Sequence, residues 1–157
     1  MTRRRINWPR EAVSSFRRAL EAAPDLVEAR VALGSCLRQI GDLPSARVEL
    51  EGAVKIQPSN GRAWFALGLI CDDLRDTLGA IRAYQRSIET MPDVPEAHVN
   101  LGLSLQNSGD LDAAMDSYRR AMRLRPDAFG RIAQALTSAK KGQLWLNLAR
   151  LRRSLEA

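Results

Sequence analysis

Histidine, cysteine, lysine and aromatic side chains are all scarce in this chain. Of its 157 residues one is histidine (His98), two are cysteine (Cys36 and Cys71), three are lysine and eight are aromatic. With no Cys-x-x-Cys pair and a lone histidine, no zinc-ligand spacing can be written. No glycine-rich phosphate loop, nucleophile motif or metal-binding cluster stands anywhere in the sequence. Asp72 and Asp73 are adjacent on one helical segment, so they diverge and cannot act as a converging acid–base pair. These absences argue against an enzyme and against a cofactor. No apolar run approaches the ~20 residues that a spanning helix needs. The start, Met1-Thr-Arg-Arg-Arg, lacks the apolar stretch of a secretory signal, so a cytoplasmic chain is expected. In a reducing compartment Cys36 and Cys71 read as small core residues, not as a disulfide.

What the chain does have is a period. Pro24, Pro58, Pro92 and Pro126 stand 34 residues apart, and Gly34, Gly68 and Gly102 keep the same step. So do Ala46, Ala80 and Ala114, and Asp42, Asp76 and Asp110. A fixed period of this length marks one supersecondary unit copied along the chain. Such units stack because none can bury its apolar face alone.

Each unit reads as two helices. Val27, Arg30, Leu33, Gly34 and Leu37 fall at helical spacing, Gly41-Asp42 interrupts, and Ala46, Leu50 and Ala53 resume it. The second unit gives Trp64, Leu67, Gly68 and Cys71, then Ala80, Tyr84 and Ser87. The third gives His98, Leu101, Gly102 and Leu105, then Ala114, Tyr118 and Ala121. Gly34, Gly68 and Gly102 permit close helix approach. Asp42, Asp76 and Asp110 suit N-caps of the second helices. Asp25 with Glu28, and Asp93 with Glu96, have the spacing of capping boxes for the first helices. The recurrent prolines end helices, because proline lacks an amide donor. Arg75 stands where the first and third units carry Gly41 and Gly109, and Gly79 is the nearest glycine that could relieve that turn.

This pattern of Trp, Leu-Gly, Ala, Tyr and Pro resembles the tetratricopeptide repeat family. The resemblance implies an all-α, right-handed solenoid of helical hairpins. The in-phase repeats would be residues 27–60, 61–94 and 95–128, with 1–26 an arm plus a partial repeat and 127–157 capping helices. It also implies a scaffold that binds a peptide or helical segment of another protein on the concave face, which first helices line. On this chain that face would carry Val31, Ser35, Arg38 and Gln39, then Phe65, Leu69, Asp72 and Asp73, then Val99, Leu103, Gln106 and Asn107. Five of Val31, Phe65, Val99, Ser35, Leu69 and Leu103 are apolar, as an interaction patch would be. Some members clamp a C-terminal carboxylate with Lys, Arg and Asn. Val31, Ser35 and Leu69 occupy the corresponding surface here, which disfavours that ligand. His98 takes the position of Trp64 and reads as a structural substitute. The run Glu96-Ala-His-Val-Asn-Leu-Gly resembles repeats that precede glycosyltransferase domains, which leaves a non-catalytic recognition arm as a further reading.

The net charge is +6, carried mostly by arginine. Arg3, Arg4, Arg5 and Arg10 cluster near one end. Arg119, Arg120, Arg123, Arg125 and Arg131 lie towards the other, with Lys140, Lys141, Arg150, Arg152 and Arg153 beyond. Nucleic acid or another acidic surface is the alternative partner these charges offer. Helix C-termini also attract cations, and Arg123 and Arg125 sit at one. At the N-terminal end a helix from about Pro9 to Ala22 carries Val13, Phe16 and Leu20 beside Ala12 and Ala19, with no preceding helix to cover it. A second copy of the chain, a preceding repeat of a longer array, or an unusual N-terminal cap would each account for it. Phe129, Ile132, Ala133 and Leu136 predict another helix to about Lys140. Leu148, Leu151 and Leu155 predict an amphipathic terminal cap anchored by Trp145.

Overall fold

The computed structural model describes residues 4–138 together with Arg153 and Leu155. Trp145 and the segment from Gly142 to Arg152 lie outside the described residues. Those described are helical or in turns: α1 (Arg4–Ala22), α2 (Val27–Gln39), α3 (Leu43–Ile56), α4 (Gly61–Asp73), α5 (Thr77–Thr90), α6 (Pro95–Ser108), α7 (Leu111–Leu124) and α8 (Phe129–Ser138). A single 3₁₀ turn at Pro126–Ala128 precedes α8. The starts of α2, α4 and α6 are one period apart, as are those of α3, α5 and α7.

The contacts divide into two compact units, one ending at Asp76 and one beginning at Thr77. In the N-terminal unit α1 packs on α2, α2 on α3, and α3 on α4, while α2 also touches α4. Its core is Leu33, Leu37, Ala46, Leu50, Ala53, Ala63 and Ile70, all buried. In the C-terminal unit α6 packs against both α5 and α7. There Ala80, Tyr84, Leu105, Ala114, Tyr118, Ala121 and Ile132 are buried. Each large apolar side chain so placed stabilises by about 1.5–3 kcal/mol relative to exposure.

Two glycines explain why the helices can close. A Cβ on Gly34 would lie 2.7 Å from Leu50 Cγ, and one on Gly102 would lie 2.4 Å from Tyr118 Cε1. No real Cβ contact is that short, so α2/α3 and α6/α7 approach over bare backbone.

The turns repeat bond for bond. The amides of Gly41 and Asp42 donate to the carbonyls of Arg38 and Leu37, Arg75 and Asp76 to Asp72 and Cys71, and Gly109 and Asp110 to Gln106 and Leu105. This is the Schellman closure, which requires a left-handed residue just past the helix. Gly41 has φ 85° and Gly109 φ 95°, and Arg75 adopts φ 62°. The relief expected from Gly79 is not used. Gly79 lies inside α5, and Arg75 itself takes the strained conformation.

Asp42 and Asp110 cap α3 and α7, accepting from the amides of Ser45 at 3.2 Å and Ala113 at 3.1 Å. The two capping boxes expected for first helices do not form. α2 starts after Leu26 and α6 after Val94, and neither has a side-chain cap. Pro95 is the reason at α6: its ring favours the first helical position and keeps Val94 extended, which moves the start one residue past a box frame. At α2, Asp25 is held in the turn in which Leu26 N–H donates to Ala23 C=O. That turn also refines the role of the prolines. Each of the four stands two residues beyond its helix. Pro24 and Pro58 follow the first residue of hydrogen-bonded turns closed by Leu26 to Ala23 and Asn60 to Gln57, the site that their fixed φ favours. Asn60 is a cap that pattern reading missed, accepting from Ala63 N–H at 3.0 Å.

Candidate functional site

Arg30, Trp64 and His98 occupy one repeat position with three different chemistries. Arg30 Nε–H donates to Pro24 C=O at 3.1 Å, and Trp64 Nε1–H to Pro58 C=O at 2.8 Å. His98 Nε2 lies 2.8 Å from Pro92 C=O, so that nitrogen carries the proton and donates. The single histidine is therefore a strut between a helix start and the preceding turn.

The N-terminal unit holds a cleft of about 270 Å³ between α2 and α4. Gly34, Ser35, Arg38 and Gln39 line it from α2, and Ala66, Leu69, Ile70 and Asp73 from α4, with Leu50 of α3 beneath. Gly34, Leu50 and Ile70 are buried, Leu69 and Ala66 half-buried, and Ser35 exposed. The floor is thus hydrocarbon. Small side chains at Gly34 and Ala66 create the depression, and the polar groups stand on its rim.

Arg38 and Asp73 meet across that rim. Nε donates to Oδ2 at 2.5 Å and Nη2 to Oδ1 at 3.5 Å, a two-pronged contact. Both side chains keep more than a third of their surface exposed, so the pair contributes little to stability. Of the other expected groove residues in this unit, Val31, Phe65 and Asp72 are half-buried.

The C-terminal unit treats its candidates differently. Leu103 is half-buried and Asn107 exposed, but Val99 and Gln106 are only 2% and 4% exposed. Gln106 Oε1 accepts the Tyr118 hydroxyl at 2.9 Å, a buried bond that ties α6 to α7. Burial also raises the Tyr118 hydroxyl pKa. Val99 and Gln106 therefore belong to the packing of this unit and offer no open hydrocarbon or amide.

Sequence reasoning missed Leu50, Ala66 and Ile70 as cleft walls. The usable signal was a small residue on each facing helix, Gly34 and Ala66, beside a buried branched one. Neither thiol is poised for chemistry. Burial pushes Cys71 up to about 11, and it raises Cys36 as well. Among the described residues no group of three or more His, Cys, Asp or Glu could hold a metal ion. No helix among them is long and apolar enough to cross a membrane.

Paired antiparallel helices on a 34-residue step, closed over glycine and joined by proline turns, define a helical-repeat protein. Residues 9–69, 61–93 and 95–128 each match a tetratricopeptide repeat family. The chain belongs to the tetratricopeptide repeat family, and the expected all-α solenoid class is the one found. No curated protein sequence matches it. Among solved structures it is similar to MamA, with 24% identity over 97% of this chain and 83% of that one, at a TM-score of 0.82. It is also similar to YrrB, described as a tetratricopeptide protein with an unusual peptide-binding site. That match has 22% identity over 96% of this chain and 79% of that one, with a TM-score of 0.73. At these identities the likeness concerns the fold.

Proposed function

We propose that the protein is a non-catalytic cytoplasmic scaffold that binds an extended or helical segment of a partner protein on its first-helix face. In this reading residues 27–60, 61–94 and 95–128 are complete repeats, α1 is half of another, and residues 127–157 close the array. The observation that carries it is the α2/α4 cleft, an apolar depression with Arg38, Gln39, Ser35 and Asp73 on its rim. A partner's apolar side chain would enter against Leu50, Ala66 and Ile70. The rim would take the neighbouring backbone amides and carbonyls. One such anchor is worth about 1.5–3 kcal/mol, which does not meet an association cost of ~4–15 kcal/mol. Val31 and Phe65, half-exposed on the same two helices, are the further anchors. The peptide-binding site attributed to YrrB supports a ligand of this class. Nucleic acid has less support: Arg119 pairs with Asp116 and Arg125 with Glu96, which leaves Arg120 and Arg123, room for one phosphate group but not for the run of contacts a polynucleotide backbone needs.

The test is selection of peptides from a displayed random library on the whole chain. Their affinity is then measured for wild type and for the double variant Phe65→Arg, Leu69→Glu, once circular dichroism has matched the two. We expect at least about a tenfold loss, equivalent to 1.4 kcal/mol, and amide shifts in α2 and α4. Wild-type affinity in the folded variant would rule the cleft out.

A further inference from the structure

The outer face of α7 carries a charge pattern that the fold does not require. Asp116, Arg119, Arg120 and Arg123 follow i, i+3, i+4, i+7 spacing and share one side of the helix. With Ser117 and with His98 from the start of α6 they line a cleft of about 390 Å³ within the C-terminal unit. Arg119 Nη1 pairs with Asp116 Oδ1 at 2.5 Å. Arg120 and Arg123, both exposed, have no carboxylate partner among the described residues.

The same stripe in the preceding repeats is less positive: two arginines against one glutamate on α5 and one lysine against one glutamate on α3, where α7 has three arginines against one aspartate. One period back it reads Arg82, Gln85, Arg86 and Glu89, and Arg86 pairs with Glu89 at 2.7 Å. Two periods back it reads Val48, Glu51, Gly52 and Lys55, where Glu51 is held by Arg47 at 2.7 Å. Position 123 therefore replaces a counter-ion (Glu89) by a third guanidinium three residues from Arg120, a like-charge spacing that weakens a helix. The macrodipole accounts for a cation in the last turn, as Lys55 shows at the same position. It does not account for Arg120, which lies nearly a turn further in.

We propose that the α6/α7 cleft is an oxyanion site that takes a phosphate monoester. With Arg119 held by Asp116, the two guanidiniums of Arg120 and Arg123 present a charge that a phosphate monoester, at about −1.5 to −2, balances best. The planar forks of Arg120 and Arg123 match its oxygens two at a time. Asp116 holds Arg119 in place at the wall. The Nε2–H bond to Pro92 fixes the His98 ring as the floor. This site lies on different helices from the peptide cleft and stands or falls separately from it.

The experiment is a titration of the ¹⁵N-labelled whole chain at constant ionic strength. The probes are inorganic phosphate and an acetylated, amidated Gly–phosphoserine–Gly tripeptide, with the unphosphorylated tripeptide as blank. We expect saturable shifts in the amides around Ser117, Arg120 and Arg123. Affinity should fall about tenfold or more in Arg120→Gln/Arg123→Gln and stay unchanged in Arg82→Gln/Arg86→Gln, the two arginines on the same stripe of α5. These side chains are exposed, so both variants should keep the wild-type circular dichroism. Tighter binding of the tripeptide than of inorganic phosphate assigns the ligand to a phosphorylated protein, and equal binding to a small free phosphate. Non-saturating shifts, or equal loss in the α5 variant, would overturn the proposal in favour of diffuse attraction between arginines and any anion.

Discussion

Replacing Arg75 by glycine should stabilise the protein, although it deletes a charged side chain and adds no contact. Arg75 is exposed and makes no ion pair among the described residues. What it contributes is a φ of 62° at the closure of α4. A left-handed conformation costs an L-residue about 1–2 kcal/mol. Glycine escapes that cost but forfeits about 0.4–1 kcal/mol through its freer unfolded chain. The net gain is about 0.5–1 kcal/mol, a rise in Tm of about 1–4 °C for a chain of this size. Gly41→Ala is the converse. A Cβ there meets nothing within 4 Å, so the loss is purely one of backbone and should mirror the gain. Urea unfolding followed by circular dichroism, with Arg75→Gly, Gly41→Ala and the double variant, measures all three. Opposite midpoint shifts that nearly cancel in the double variant are expected, with unchanged slope. A loss of about 1 kcal/mol or more in Arg75→Gly would mean that the arginine side chain holds the turn, and the strain argument would be refuted.

Gly102→Ala should cost about 1–3 kcal/mol, because its Cβ falls 2.4 Å from a Tyr118 ring held at 0% exposure; thermal melts check it. Tyr118→Phe strands part of the buried Gln106 amide and should cost about 1–3 kcal/mol in the same assay. A thiol reagent at mildly alkaline pH should label Cys36 before Cys71, whose buried thiol titrates only near 11, and mass spectrometry of partly labelled protein reads the order. The Glu96 carboxyl is held below the usual carboxylate range, first by a hydrogen bond from its own backbone N–H and then by Arg125. Its stabilisation is complete above the ordinary glutamate pKa and is lost as pH falls through the lowered folded one. Being a third exposed, it should contribute under about 1 kcal/mol, read as the difference between wild type and Glu96→Gln in acid titrations of stability.

Among the described residues, the helix pairs and turn positions between Pro24 and Pro126 follow from the proline-to-proline step, the glycine and alanine contact points and the aspartate caps. They are legible because they are local: each depends on backbone sterics or a bond within a few residues. Even so, the starts of α2 and α6 are not legible in the same way, since Pro95 and the turn at Asp25 compete with the box for the same residues.

The cleft was only half legible. Arg38 and Asp73, 35 residues apart, could each be placed on a first helix by period, but their pairing depends on how far α2 stands from α4. Val31 and Val99 are the same residue at the same repeat position, yet one is half-buried and the other 2% exposed. Gln106 likewise reads as a groove amide until Tyr118 is seen to claim it. Periodicity tells which way a side chain points from its own helix. Whether it meets solvent or another side chain is set by the neighbours that pack there, and only the tertiary structure decides that.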